Sequence, residues 1–176
     1  MFDPTVFDNL KIGFENYLYD LDNLDGEIKI INRRDVLEMA TMAREFSLAF
    51  QLTEEKEVTA ELLLKADLNQ LALEILEAEG SDPGCQLILQ FFVELVDVES
   101  QCFLIEKELQ KIWGHGIQLN QQLSYLYKKQ PKVIQNRVEV FFKRLINEEQ
   151  MNDIPGLVDH ILLTLQKLEK VINENT

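Results

Sequence analysis

Between Cys85 and Trp113 the spacing of apolar residues changes once, and that change constrains the fold more than any other feature of the chain. From 85 to 95 the odd positions Cys85, Leu87, Leu89, Phe91, Val93 and Leu95 are all apolar, while Gln86, Ile88, Gln90, Phe92 and Glu94 between them are mixed. Side chains alternate across a strand, so this run predicts a strand with one buried and one half-exposed face. From Val98 the step becomes three or four, through Val98, Cys102, Ile105, Leu109 and Ile112, with Glu99, Glu106, Lys107, Glu108 and Lys111 between them. That is the stripe of an amphipathic helix, and Asp97 is placed to cap it. A single helix over 85–113 would run about 45 Å at 1.5 Å per residue, against a diameter of about 40 Å for a compact chain of this length. Strand followed by helix is the reading that fits.

Strict alternation also holds at Phe46, Leu48, Phe50 and Leu52 and at Val58, Ala60, Leu62, Leu64 and Ala66, on either side of the polar TEEKE, which predicts a hairpin. Nearer the start, Asp3, Pro4 and Thr5 suggest a helical turn before Asn9. Leu10, Ile12 and Phe14 are then apolar at even positions, and Tyr17, Tyr19 and Leu21 at odd ones. A change of parity inside a strand is what a bulge produces, and Gly13 tolerates one best. On this reading the strand turns through DLDNLDG and returns along Ile28 and Ile30. Val36, Leu37, Ala40 and Ala43 have helical spacing behind Asp35, although an extended VLEMATMA fits almost as well. Asp67 caps a short helix striped by Leu68, Leu71, Ala72, Ile75 and Leu76 and ended by Gly80.

After the corner Gly114-His115-Gly116, the residues Leu119, Leu123 and Leu126 predict a short helix stopped near Pro131. Ile134, Val138, Phe141 and Leu145 predict another that opens on that proline. Asp153, Pro155 and Gly156 introduce a last helix with Leu157, Val158, Ile161, Leu162, Leu165, Leu168 and Ile172 on one face, and the final NENT is expected to be disordered. The expected fold is α+β and a single domain over 1–176. Four or five mostly antiparallel strands make a sheet-rich part (1–96), one face of which is covered by helices, and a helical part (97–176) follows.

The net charge is -14, and it is uneven: eighteen Asp and Glu face seven Lys and Arg up to Gly80, thirteen face ten after it. Such a chain does not grip nucleic acid or anionic membranes over its whole surface. No apolar run is long enough to cross a bilayer, and the opening MFDPTVFDNL is acidic where a signal peptide is basic and then apolar, so a cytoplasmic protein is expected. Cys85 and Cys102 stand apart within apolar segments and read as buried thiols.

Residues 19–24, YDLDNL, resemble the first motif of the haloacid dehalogenase family of phosphatases. The resemblance implies Asp20 as nucleophile and Asp22 as general acid at the end of a strand, with magnesium holding the phosphate. It covers about six residues and departs from the family's pattern at Leu24, where a Thr or Val is required. Read without the family, Asp20, Asp22 and Asp25 solvate a hairpin turn, or make a weak cation site. Aligned as a calcium loop on Gly26, they leave Leu21 and Asn32 at ligand places.

His115 and His160 are the only histidines and have no partner at metal-ligand spacing, so zinc is not expected. Neither Ser100 nor Cys102 recommends itself as a nucleophile, and SDPG lacks the spacing and the lysine of a phosphate loop. Lys128, Lys129, Lys132, Arg137, Lys143 and Arg144 form one basic stretch, read on a helix as a mostly solvated face that can meet an acidic partner or the acidic half of a second copy. The aromatic residues fit a core, or the wall of an apolar pocket. The leading expectation is a non-catalytic protein acting through protein contacts, a homodimer formed by the C-terminal helices, with no cofactor. A metal-dependent hydrolase using Asp20, Asp22 and Asp25 and a binding protein for apolar small molecules are the alternatives.

Overall fold

The computed structural model describes residues 5–174, so the expectations at Asp3, Pro4 and the last two residues of NENT lie outside the described residues. The order of elements is α1 (Val6–Asp20), β1 (Ile28–Glu38), β2 (Ala43–Leu52), β3 (Thr59–Ala66), α2 (Leu68–Ile75), β4 (Gln86–Leu95), α3 (Val98–Trp113), β5 (Ile117–Ser124), β6 (Ile134–Phe142) and α4 (Ile154–Asn173). The strands form one antiparallel six-stranded sheet in the order β1-β2-β3-β4-β6-β5. This is the α+β fold, with a helical C-terminus. The sheet has one or two more strands than expected and continues past residue 96.

The strand, helix and cap read between Cys85 and Trp113 are present, with the Asp97 carboxylate accepting from the Ser100 N–H at 3.3 Å. The hairpin of Phe46–Leu52 and Val58–Ala66 is present too, in the register Phe46↔Leu64, Leu48↔Leu62 and Phe50↔Ala60. The inward rows of β2, β3 and β4 meet Val138 and Val140 of β6, and α1, α3 and α4 close over them in one continuous core. α4 places Val158, Ile161, Leu165 and Leu168 in that core, which is where the apolar stripe of the last helix goes.

Four segments differ from the sequence reading. The strand expected over Leu10–Leu21 is α1, whose buried residues Phe7, Leu10, Phe14 and Leu18 recur every three or four positions. Ile12, which suggested alternation, is half exposed. Thr5 caps the helix by accepting from the Asp8 N–H at 3.1 Å while the Asp8 carboxylate accepts back from Thr5. Gly13 is no bulge. It is a close approach of α1 to its neighbours, for a Cβ there would stand 2.6 Å from Met151 Cε and 3.0 Å from Ile154 Cδ1.

The helix expected after Asp35 is the far half of β1, whose inward Arg33 and Asp35 are matched by α1: Arg33 Nε donates to Glu15 at 2.5 Å and Lys11 Nζ to Asp35 at 2.7 Å. The two helices expected over 119–126 and from Pro131 are β5 and β6. Their inward rows each contain one amide, Gln121 and Asn136. These two pair with each other, Asn136 Nδ2 donating to Gln121 Oε1 at 2.8 Å, and Gln121 Nε2 donates to the Cys102 carbonyl of α3 at 2.9 Å.

One buried charge bears on stability. Glu169 of α4 is 1% exposed, with Oε1 accepting from the Val58 N–H at 2.8 Å, while its second oxygen has no partner among the described residues. Burial pushes its pKa up, helped by Glu55 and Glu57 and opposed by the backbone bonds of Val58 and Glu57. A carboxyl whose folded pKa is raised favours folding most when protonated. Its contribution is present below the unfolded value near 4.5 and is lost as pH rises through the folded value. Glu169→Gln keeps an acceptor for Val58 without the charge. It should match the native protein at pH 4 and melt at a higher temperature than it at pH 7.5; an equal offset at both pH values in thermal melts would contradict this.

Candidate functional site

The acidic cluster sits where α1 runs out through a widened turn, Leu21–Asp25, not at the end of a strand. The phosphatase resemblance assumed a strand. Asp20 and Asp25 are exposed. Asp22 is turned back on the fold, its Oδ2 accepting from the Ile30 N–H at 2.8 Å and its Oδ1 lying 3.6 Å from Lys29 Nζ. It thus fastens the start of β1 to the end of α1. Among the described residues no group of three or more His, Cys, Asp or Glu is arranged to hold a metal ion.

The two thiols are far from reactive. Burial pushes the Cys85 thiol up to about 12, and burial raises that of Cys102 as well. Both remain protonated at neutral pH, and a thiol rather than a thiolate is a poor nucleophile. His160 is exposed and bonded through Nδ1 to the Gly156 carbonyl at 2.7 Å. Its ring lies 5.4 Å from that of Trp113, whose Nε1 donates to Thr164 at 3.0 Å.

The basic stretch is divided. Because β6 is a strand of nine residues, its ends stand about 30 Å apart at roughly 3.4 Å per residue. Lys128, Lys129 and Lys132 stay at the tip of the β5–β6 hairpin beside exposed Tyr125, Leu126 and Tyr127, with Lys132 over the Tyr125 ring at 4.0 Å. Arg137, in mid-strand, is held by Glu139 at 3.1 Å and by Gln122. Lys143 and Arg144 lie at the other end, beside the start of α4.

Two features were not foreseen as sites. The first is α2, in which no residue is buried although its sequence is amphipathic. It is tethered on its polar side, Gln70 accepting from the Gly84 N–H at 3.0 Å and Glu74 from the Val6 N–H at 2.8 Å. Its stripe is left open: Leu68 is 50% exposed, Ile75 69% and Leu76 75%. Between α2 and α1 runs a groove of about 390 Å³ whose apolar wall includes Val6, Phe7, Met42, Leu71 and Ile75. Met39, on the same β1–β2 turn as Met42, is 73% exposed. The stripe was visible in the sequence, but its facing outward was not.

The second is a cavity of about 400 Å³ among α1, β4, β6 and the start of α4. Its residues come from five separate stretches of chain, so no local motif announces it. Comparison of the chain with protein-family models, curated proteins and solved structures finds no match in any of the three.

Proposed function

We propose that this is a non-catalytic protein that works through protein contacts, and first of all with a second copy of itself. The observation that supports this reading is α2, an amphipathic helix whose apolar stripe lies outside the core. Helices normally hide such a stripe, and a contiguous exposed apolar patch marks a contact surface. The methionines at its rim suit adaptable contacts, because their side chains are unbranched and polarizable. Two copies of one helix can pack antiparallel about a twofold axis, so the same patch serves both subunits. The expected dimer surface is therefore α2 with the β1–β2 turn, since the stripe of α4 is already spent on the core.

Size-exclusion chromatography with light scattering tests this at tens of micromolar protein. The native chain should run at twice the monomer mass, and Ile75→Asp with Leu76→Asp should return it to a monomer with unchanged circular dichroism. A native chain that stays monomeric at high micromolar concentration would remove the dimer.

A further inference from the structure

The cavity beneath the start of α4 combines two things that do not need each other for folding. Its walls are apolar: Phe14 of α1, Leu87 of β4, Phe142 of β6, Ile146, and Ile154 and Leu157 of α4. Its rim carries Lys143 and Arg144, with Asp153 the one acid among the lining residues. Most cations elsewhere on the sheet are committed, Arg33 to Glu15, Arg44 to Asp8 and Arg137 to Glu139. Among the described residues the side chains of Lys143 and Arg144 have no ion-pair or hydrogen-bond partner, although the chain carries an excess of fourteen negative charges.

We propose that this cavity binds a single-chain anionic amphiphile, its hydrocarbon body against Phe14, Leu87 and Leu157 and its carboxylate or phosphate head at Lys143 and Arg144. The volume lies within the range of small-ligand pockets and is too small for a folded partner. An uncharged apolar molecule would gain nothing from the two cations, and an amine would be repelled by them. An anionic head gains charge-assisted bonds, which are about twice as strong as neutral ones, and an arginine can offer two at once. This site is separate from the α2 surface and stands or falls without it.

The chain supplies its own reporter. Trp113 is the single tryptophan, and its ring meets that of Phe142, a cavity wall, edge-on at 5.7 Å. Titration of the full chain with decanoate, decyl phosphate and decanol, each below its aggregation limit, should change Trp113 emission for the two anions at least fivefold more tightly than for the alcohol. The tighter of the two anions identifies the head. Lys143→Ala with Arg144→Ala, both exposed positions, should weaken the anions about tenfold and leave decanol unchanged. Gly116→Leu should block all three, because Gly116 lines the cavity and a Cβ there meets nothing within 4 Å. Circular dichroism of each variant confirms the fold. No anion binding up to millimolar concentration, equal binding of decanol and decanoate, or full anion binding by the double alanine variant would each overturn the proposal.

Discussion

Gly84→Ala is expected to destabilise the protein by about 3 kcal/mol, lowering Tm by roughly 6–12 °C in a chain of this size. A Cβ at this position would stand 2.7 Å from the carbonyl oxygen of Ile146 and 3.0 Å from Leu145 Cβ. Neither neighbour can yield cheaply. The next residue is locked to the same strand of chain, Cys85 N–H donating to the Ile146 carbonyl at 2.7 Å and Ile146 N–H returning to the Cys85 carbonyl at 2.9 Å. Any shift of Gly84 also pulls on its N–H bond to Gln70, so α2 should loosen together with the sheet end. Gly13→Ala is the control. Its Cβ would meet the mobile end of Met151, and alanine suits a helix better than glycine by up to about 1 kcal/mol. A Gly84→Ala melt within 1 °C of the native protein would mean that the contact is not as tight as described.

The second large effect is expected at Gln101. This side chain is fully buried, and its Oε1 accepts from both the Val96 N–H at 2.8 Å and the Asp97 N–H at 2.9 Å, fixing the corner where β4 gives way to α3. Gln101→Ala removes the acceptor from two backbone donors and leaves a void, at a cost of about 2 to 3 kcal/mol. Gln101→Glu retains the two acceptor contacts at the beginning of a helix, where negative charge is favoured, and should lose less. Equilibrium denaturation in urea separates the two. Equal midpoints for the alanine and glutamate variants would show that the corner does not depend on these bonds.

The segments read correctly and the segments misread differ in one physical respect. In β2, β3 and β4 the inward row is wholly apolar over the paired centre, so alternation is visible in the sequence itself. In β1 the inward row holds Arg33 and Asp35, and in β5 and β6 it holds Gln121 and Asn136. Each of these interrupts the rhythm, and each pairs with a residue of another element: Arg33 with Glu15, Asp35 with Lys11, Asn136 through its Nδ2 with Gln121. Of these only Asn136 is fully buried; a polar group on the covered face of a sheet is tolerable when it is paired, but sequence spacing shows the group without its partner. α1 was hidden the opposite way, by the exposed Ile12 and the half-buried Tyr19 adding apolar positions outside its buried row of Phe7, Leu10, Phe14 and Leu18. The basic residues followed their element. Once β6 is a strand, one apparent patch becomes two: the Lys143 and Arg144 end adjoins the cavity beneath the start of α4, and Lys129 at the hairpin tip lines a smaller one.

The strand order β1-β2-β3-β4-β6-β5 also sets how much chain each pairing must close. The first four ribbons are neighbours both in space and along the chain, so each can be zipped onto the last across a connection no longer than 67–85. β6 is different, because it must find β4 across 96–133, a closure that includes the whole of α3 and β5. Entropy of closure grows with the length of the intervening chain, and pairing distant segments is slow. The connection between β5 and β6, 125–133, is much shorter than 96–133, so pairing within this hairpin costs less closure entropy than pairing β6 with β4. Gln121 and Asn136, which meet within the β5–β6 hairpin and reach α3 through the Cys102 carbonyl, then clasp the far end of the sheet to the helix that the long closure carries.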